Sequence, residues 1–386
     1  MIGTERIRAL GEELAMHPGP VVSLYLDVNR ARPDNARKAY ALRARAAMDR
    51  LGIPKRVSRD LTARLKMLQG IPEARTLVVF AGTEPEGFFE SYALRPELPL
   101  VEAEGGVVAR CGEAYLAPLL LALREGQRYL VLLLAKDRVR LFVYHLDEAV
   151  ELDAFVQPLD ASGWRPLREH STGMPGVPAR GGSGKDLFEK RVADWRRRFQ
   201  LEVSRRLDGV LNSLGDDVRI VLLGQAPELA TFEAALPPAL QALVVERRAA
   251  PSNPDAPVSE LEPLLAEAVD GIEAEAGRAL LDRVEQTGVR GFGPTLEALE
   301  EGRVYVLAVP WRMRRRVFRC RVSGRVAPTL ADAQRLCPDD VVDDVALADA
   351  LPELADRHAI RLVLVRGENE ARLQAAFDGL AGLTRW

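Results

Sequence analysis

The sequence predicts three α/β domains in succession, at residues 1–125, 126–248 and 249–386. Three observations predict this. The 386-residue length corresponds to two or three domains at roughly 150 residues each. Short apolar runs of strand length alternate with longer stretches of helical period. Pro- and Gly-rich stretches at 159–185 and 251–257 interrupt that alternation. A composition of 47% hydrophobic and 28% charged residues supports ordinary globular cores and excludes a wholly disordered, collagen-like or fibrous chain.

In the first domain, Val21-Val-Ser-Leu-Tyr-Leu-Asp27 alternates and reads as a strand. Pro33-Asp34-Asn35 starts a helical stretch through Tyr40 and Met48 to about Leu51, where Gly52-Ile-Pro54 breaks it. A second helix runs to about Leu68. Thr76 to Ala81 is a buried strand closed by Gly82, and several short strands follow before Gly126. The second domain opens with a hairpin, 129–135 and 138–144 around Lys136-Asp137. Its first strand is apolar throughout and therefore central. Its second alternates Val139, Leu141 and Val143 with Arg138 and Arg140, which predicts one wet face. The glycine-rich stretch from Leu159 to Lys185 has no periodicity, and a loop of that length is functional or disordered.

A long amphipathic helix follows it. Phe188, Val192, Trp195, Phe199, Val203, Leu207, Val210 and Leu214 form one apolar stripe, with Arg196, Arg197, Arg205 and Arg206 largely off it. That stripe assigns Trp195 and Phe199 to the core rather than to base stacking. Gly215 ends the helix, and Val218 to Leu223 is a strand closed by Gly224. The third domain begins with a helix carrying Leu265, Val269, Ile272 and Leu280 to about Gly288. A second helix opens at Gly291-Phe-Gly293-Pro-Thr295 and ends at Gly302. With strands at 303–309 and 360–365, this reads as a three-layer α/β/α domain.

The longest apolar run, Ala114 to Leu123, has ten residues and contains Pro118, too short to span a bilayer. The charged start, Met-Ile-Gly-Thr-Glu-Arg, has no apolar segment behind it, so no signal peptide is expected. Three cysteines (Cys111, Cys320, Cys337) are too few for a disulfide scaffold, and a reducing, cytoplasmic setting is expected. The net charge of −3 conceals a segregated distribution. Arg30 to Lys66 holds twelve Lys/Arg against three acids, Arg180 to Arg206 nine against four, and Trp311 to Arg325 seven arginines and no acid. An anionic polymer is one partner for three such runs; solvated faces of helices and strands are the other reading.

Arg180-Gly-Gly-Ser-Gly-Lys-Asp-Leu-Phe188-Glu-Lys190 resembles the Gly-Gly-Gln loop of the archaeal and eukaryotic peptide-chain release factors and their Pelota relatives. Phe188 lies five residues after Ser183, matching the family's phenylalanine five after its glutamine. Lys190 falls where the family often has arginine, and Leu187 replaces the usual arginine before the phenylalanine. The 129–144 hairpin is similar to the opening of the family's middle domain. Gly291-Phe-Gly293 through Thr295, Ala298, Gly302-Arg-Val304 and Leu307 is similar to its C-terminal domain. Gly379-Leu-Ala-Gly-Leu-Thr-Arg-Trp386 resembles its tail, and Val-Ser-Leu-Tyr-Leu resembles the start of bacterial members. The resemblance spans the chain and implies the release-factor/Pelota order of domains.

Two departures qualify what it implies. Ser183 stands where the family's glutamine helps place the water that cleaves peptidyl-tRNA, and a serine cannot present the same paired amide donor and acceptor. No stop-codon-reading motif is visible in the first domain. Second, Cys320-Arg-Val-Ser323-Gly and Cys337-Pro-Asp-Asp340 look like a zinc ribbon that kept only the first cysteine of each pair. Four thiolates make a structural zinc tetrahedron and two do not; Asp339 or Asp340 is the only nearby supplement. Two ordinary cysteines and no metal or other cofactor are expected.

Other chemistry fits less well. A phosphate loop at Gly182-Ser-Gly-Lys-Asp186 needs glycine at Ala179 and Ser or Thr at Asp186. Ser183 as a nucleophile needs a base, yet the nearest histidine in sequence is His170, and His17, His145 and His358 are scattered. Gly181-Gly-Ser-Gly184 is either a flexible lead into the helix or a backbone probe of RNA. No catalytic residue is therefore assigned. The resemblance implies that Arg180, Gly181, Gly182, Ser183, Gly184 and Lys185 enter the peptidyl-transferase centre. Arg37, Lys38, Lys190, Arg191, Arg196, Arg197, Arg312, Arg314, Arg315 and Arg316 are the expected RNA contacts. The expected function is occupancy of the A site of idle or stalled ribosomes, in hibernation or rescue, without peptide release. EF-Tu or another translational GTPase is the implied partner, the chain a monomer with no membrane role. The alternatives are a peptidyl-tRNA hydrolase and a tRNA- or RNA-binding stress protein acting off the ribosome.

Overall fold

The computed structural model describes residues 4–68, 74–84, 87–98, 100–101, 104–125, 127–156, 184–215, 218–250, 253 and 255–386, with the side chains of 4, 5, 8, 123–125, 184–191, 193 and 196 outside that description. The chain packs as two units, one formed by Met1–Gly126 together with Asp270–Trp386 and the other by Gln127–Val269.

In the first unit, helix α1 (Thr4–Ala15) precedes β1 (Val21–Asp27). An antiparallel sheet runs β3 (Phe89–Leu94), β2 (Thr76–Gly82), β1, β4 (Val107–Gly112). Successive β1 side chains point to opposite faces, and both faces are buried. Val22, Leu24 and Leu26 pack with Tyr40, Ala44 and Met48 of α2 (Ala39–Arg50) and Val57, Leu61 and Leu65 of α3 (Lys55–Met67). On the other face Tyr25 meets Phe80 edge to face, ring centroids 6.3 Å apart, and its hydroxyl donates to the Tyr115 carbonyl. The helix expected from Pro33 to Leu51 is broken. Pro33–Lys38 is a 3₁₀ segment in which Ala36 is extended and Arg37 and Lys38 take positive φ, 53° and 61°, before α2 begins.

After α4 (Ala117–Glu125), the second unit begins. Its sheet runs β7 (Glu148–Val156), β6 (Arg138–His145), β5 (Arg128–Leu134), β8 (Val218–Leu223), β9 (Val244–Arg248). The first three strands are antiparallel, and β5, β8 and β9 are parallel. β5 is central, in keeping with its unbroken apolar sequence. β6 is wetter only at its start: from Leu141 to His145 it is buried, because β7 covers its outer edge. Helix α5 (Gly184–Leu214) lays Phe199, Val203 and Leu207 on the sheet core, and Gly215 closes it at φ +99°. α6 (Ala226–Ala235) and α7 (Pro238–Gln241) link β8 to β9.

Helix α8 (Val258–Thr287) crosses the boundary between units at 269/270. Residues 249–269, expected in the third domain, pack with the second unit instead. Arg140 donates to the Ala256 carbonyl at 2.6 Å, and Arg248 pairs with Glu267 at 3.2 Å. The rest of the C-terminal segment has a sheet ordered β10 (Val289–Arg290), β16 (Ala381–Thr384), β11 (Val304–Pro310), β15 (Arg361–Val365). A register shift between Val304 and Val306 changes the face to which β11 residues point. Val304, Leu307 and Val309 pack with α9 (Phe292–Glu300) and α11 (Leu347–His358). Val306 and Ala308 pack with α8 and α12 (Gly367–Phe377), giving helices on both faces of the sheet.

Leu121 of α4 lies in the same cluster as α9 and α11, and the Tyr115 hydroxyl donates to Asp349. These contacts join the first and last segments of the chain into one unit. Burial and then Asp349 push the Tyr115 hydroxyl well above the ordinary tyrosine range.

Between β11 and α11 sits a small insertion: β12 (Arg316–Cys320), β13 (Val326–Ala327), α10 (Leu330–Leu336) and β14 (Val342–Ala346), with sheet order β13, β12, β14. Cys320 and Cys337 are joined by a disulfide, Cα atoms 6.5 Å apart. This corrects the expectation of two ordinary cysteines. The sulfurs lie 17 residues apart in sequence, and only the folding of α10 back along β12 brings them together. Cys111 is free and exposed. No described helix is long and apolar enough to cross a membrane.

Candidate nucleic-acid interface

The glycine-rich loop, including Arg180, Gly181, Gly182 and Ser183, lies outside the described residues. Gly184 and Lys185 are the first two residues of α5, so the Gly-Gly-Ser tripeptide leads directly into that helix. The side chains of Lys185, Lys190, Arg191 and Arg196 also lie outside the description. Further along α5, the apolar stripe faces the sheet, and Trp195, half-buried, stacks on Phe199 with centroids 6.2 Å apart and planes at 17°. Arg197, Arg198 and Arg205 are exposed and form no ion pair among the described residues. Arg198 and Arg205 are seven residues apart and share one helix face. Arg206 pairs with Glu202 at 3.0 Å and covers the Phe155 ring at 5.1 Å.

A second basic surface stands on a buried polar network at the end of β1. Asp27 is 8% exposed. Its Oδ1 accepts from the Asn29 amide and from Asn35 Nδ2, both at 2.9 Å. Its Oδ2 accepts from Arg32 Nη1 at 2.8 Å. Arg32 also pairs with Glu97 at 2.9 Å, while Arg43 donates to the Asp27 carbonyl at 2.9 Å and the Asp34 carbonyl at 2.7 Å. A buried carboxylate held by this many donors anchors the turn that follows. The turn carries Arg37 and Lys38, both exposed and both in the left-handed region. Non-glycine residues there are strained, and surrounding structure must hold them. Lys38 Nζ donates to the Lys66 carbonyl and, at 3.4 Å, to that of Leu68.

The third basic run lies between β11 and β12. The Arg312 amide donates to Glu370 at 2.8 Å. Arg314 is exposed with no ion pair among the described residues. Arg315 pairs with Asp378 and lies 4.9 Å over the Phe292 ring. Arg316 binds Asp344 at 2.8 Å through both carboxylate and carbonyl. Sequence proximity therefore overstates the free charge of this run, because its acids arrive from distant elements. The three basic surfaces belong to different segments of the chain. Reasoning from sequence missed the Asp27 network; its only sequence signal was the polar density of Asp27, Asn29, Arg32 and Asn35 after an apolar strand.

Residues 115–269 match the model of the family described as Bacterial archaeo-eukaryotic release factor family 10. That segment holds α4, the whole five-stranded sheet, the glycine-rich loop and α5. This segment, less than half of the chain, is thereby similar to that bacterial release-factor family. Many solved structures also align with the chain, three of which follow. The archaeal translation termination factor aRF1 is 15% identical, covering 100% of this chain and 99% of its own, with a TM-score of 0.26. Pelota of Archaeoglobus fulgidus is 13% identical over 80% of this chain and 79% of its own, TM-score 0.31. Dom34 of S. cerevisiae, a translation termination-like factor, is 9% identical over 80% of each chain, TM-score 0.41. No curated protein matches the chain in sequence.

Proposed function

We propose that this protein occupies the A site of idle or stalled ribosomes without releasing peptide. The observation that supports this most is Ser183 in the family-matched segment, at the glutamine position directly before α5. Serine offers one hydroxyl, which is one donor and two acceptor lone pairs on a single atom, and cannot hold a water between a separate amide donor and carbonyl acceptor. The loop then works by filling the peptidyl-transferase centre rather than by activating water. Arg37, Lys38, Arg197 and Arg314 contact ribosomal RNA phosphates, which position the protein without reading sequence. The protein acts as a cytoplasmic monomer delivered by a translational GTPase of the EF-Tu class.

Co-sedimentation of the purified chain with vacant 70S ribosomes through sucrose, over a salt series, tests this. Retention near physiological salt that falls steeply as salt rises is expected. No retention with vacant or stalled ribosomes, with or without EF-Tu, overturns it. Ser183→Ala and Ser183→Gln both retain binding under occupancy. Peptide release by the wild type that fails in both variants would instead assign a serine-dependent hydrolase. Binding of free tRNA as tight as that of ribosomes would assign a role off the ribosome.

A further inference from the structure

We propose that the insertion carries a two-state thiol centre: a Cys320–Cys337 disulfide when oxidised and, when reduced, a site for one thiophilic divalent cation held by Cys320, Cys337 and Asp340. The positions that a four-cysteine ribbon would fill are here Cys320, Ser323, Cys337 and Asp340, and the fold brings all four together. One ligand atom each from Cys320, Cys337 and Asp340 lie within 4.8 Å of one another. Ser323 Oγ is 3.3 Å from Cys337 Sγ and 3.4 Å from the Asp340 carboxylate, next to the fourth position.

The backbone is arranged to hold such a centre. Cys320 ends β12 and leads into a tight turn, in which the Gly324 amide donates to the Cys320 carbonyl at 2.8 Å and Gly324 takes φ +66°. Cys337 ends α10, and its amide donates to the Ala333 carbonyl at 2.9 Å. Asp340 is oriented by the amides of Val322 at 3.0 Å and Ser323 at 3.1 Å. Ligands fixed by such hydrogen bonds need little reordering when the cation arrives. Cys320 is fully buried and Cys337 is 8% exposed, which shields both sulfurs from bulk water. Two thiolates, a carboxylate and a hydroxyl or water give a tetrahedral set of the kind zinc accepts.

The chemistry balances in two steps. A dithiol reductant gives two electrons and two protons to the disulfide, yielding two cysteine thiols and the reductant's own disulfide. The divalent cation then displaces the two thiol protons to solution and binds both thiolates and the Asp340 carboxylate. One sulfur pair cannot be in both states, so oxidation expels the cation.

The full chain, reduced with a phosphine and freed of it under inert gas, is titrated with cobalt(II) and then with zinc(II). One equivalent of cobalt per chain with a thiolate-to-metal charge-transfer band, lost on adding zinc, is expected; the oxidised chain shows neither. Cys337→Ser abolishes the band and Cys111→Ser leaves it unchanged. Asp340→Asn weakens cobalt binding by about tenfold or more, since even outer-shell losses cost about 10–100-fold. Far-UV circular dichroism confirms that each variant is folded. No band and no bound metal in the reduced, folded wild type overturns the proposal. Unchanged affinity in Asp340→Asn overturns the role of that carboxylate.

Discussion

Arg140 of β6 reaches diagonally to Glu151 of β7, which lies opposite Phe142, through two parallel bonds, Nε to Oε1 at 2.8 Å and Nη2 to Oε2 at 2.7 Å. Hydrogen bonding from the Arg140 guanidinium holds the Glu151 carboxyl below its ordinary value of 4.5. A carboxylate lowered in the folded state binds protons less readily than in the unfolded chain. Its contribution is therefore complete above about pH 4.5 and disappears as pH falls through the folded value. Glu151→Gln is expected to lower stability at pH 7 by about 0.5–1 kcal/mol, the upper range for a partly exposed pair. Urea midpoints of variant and wild type should converge as pH falls below the folded value; a gap that stays equal from pH 7 into the acid range would sink this account. Asp27 is the stronger case, since its loss removes the buried acceptor shared by Arg32, Asn35 and the Asn29 amide. Asp27→Ala is expected to destabilise the full chain by about 1–3 kcal/mol, measured by the same urea transition.

At the scale of elements, the period of the sequence was a good guide to α3, α5, α8 and to β5, β6 and β8 of the second unit, while β7 and β9 went unread. It failed between Pro33 and Tyr40, where composition reads as continuous helix. The Asp27 network outbids helical propensity there and forces Arg37 and Lys38 into the left-handed region. Glycine adopts that region without strain. Arg37→Gly is therefore expected to hold or raise the urea midpoint, by up to about 1 kcal/mol in stability, while reducing retention on ribosomes at a fixed salt concentration. A destabilised variant would mean that the turn is not strained. A stable variant with unchanged retention would remove Arg37 from the RNA contacts. Gly288 shows the opposite use of glycine, close approach. A Cβ there would sit 2.5 Å from the Gly382 carbonyl oxygen and 2.8 Å from the Val284 Cα.

For the whole molecule, association with a polyanion is governed by how many phosphates are neutralised. Each neutralised phosphate contributes about 0.7–0.9 to the slope of log K against log salt through counterion release. The double variant Arg198→Gln, Arg205→Gln is expected to reduce that slope by up to about 1.4–1.8 without shifting the urea midpoint. Both arginines are exposed and off the apolar stripe. An unchanged slope would assign this face of α5 to solvent. Arg315 and Arg316, already paired with Asp378 and Asp344, should contribute less per charge than Arg314.

The alternation of strands and helices, the apolar stripe of α5, its start after Gly-Gly-Ser and the segregation of basic residues were determined by the sequence alone. Each depends on neighbours within a few residues, which fix period, turns and local charge. Tertiary structure decided what depends on distant partners. It paired Cys320 with Cys337 and brought Ser323 and Asp340 beside them. It neutralised half of the 312–316 run with acids from β14 and the end of α12. It also packed Leu121 and Tyr115 against the C-terminal segment, merging the two ends of the chain into one unit. No local pattern encodes these contacts, because each is selected by burial and charge pairing among groups tens to hundreds of residues apart.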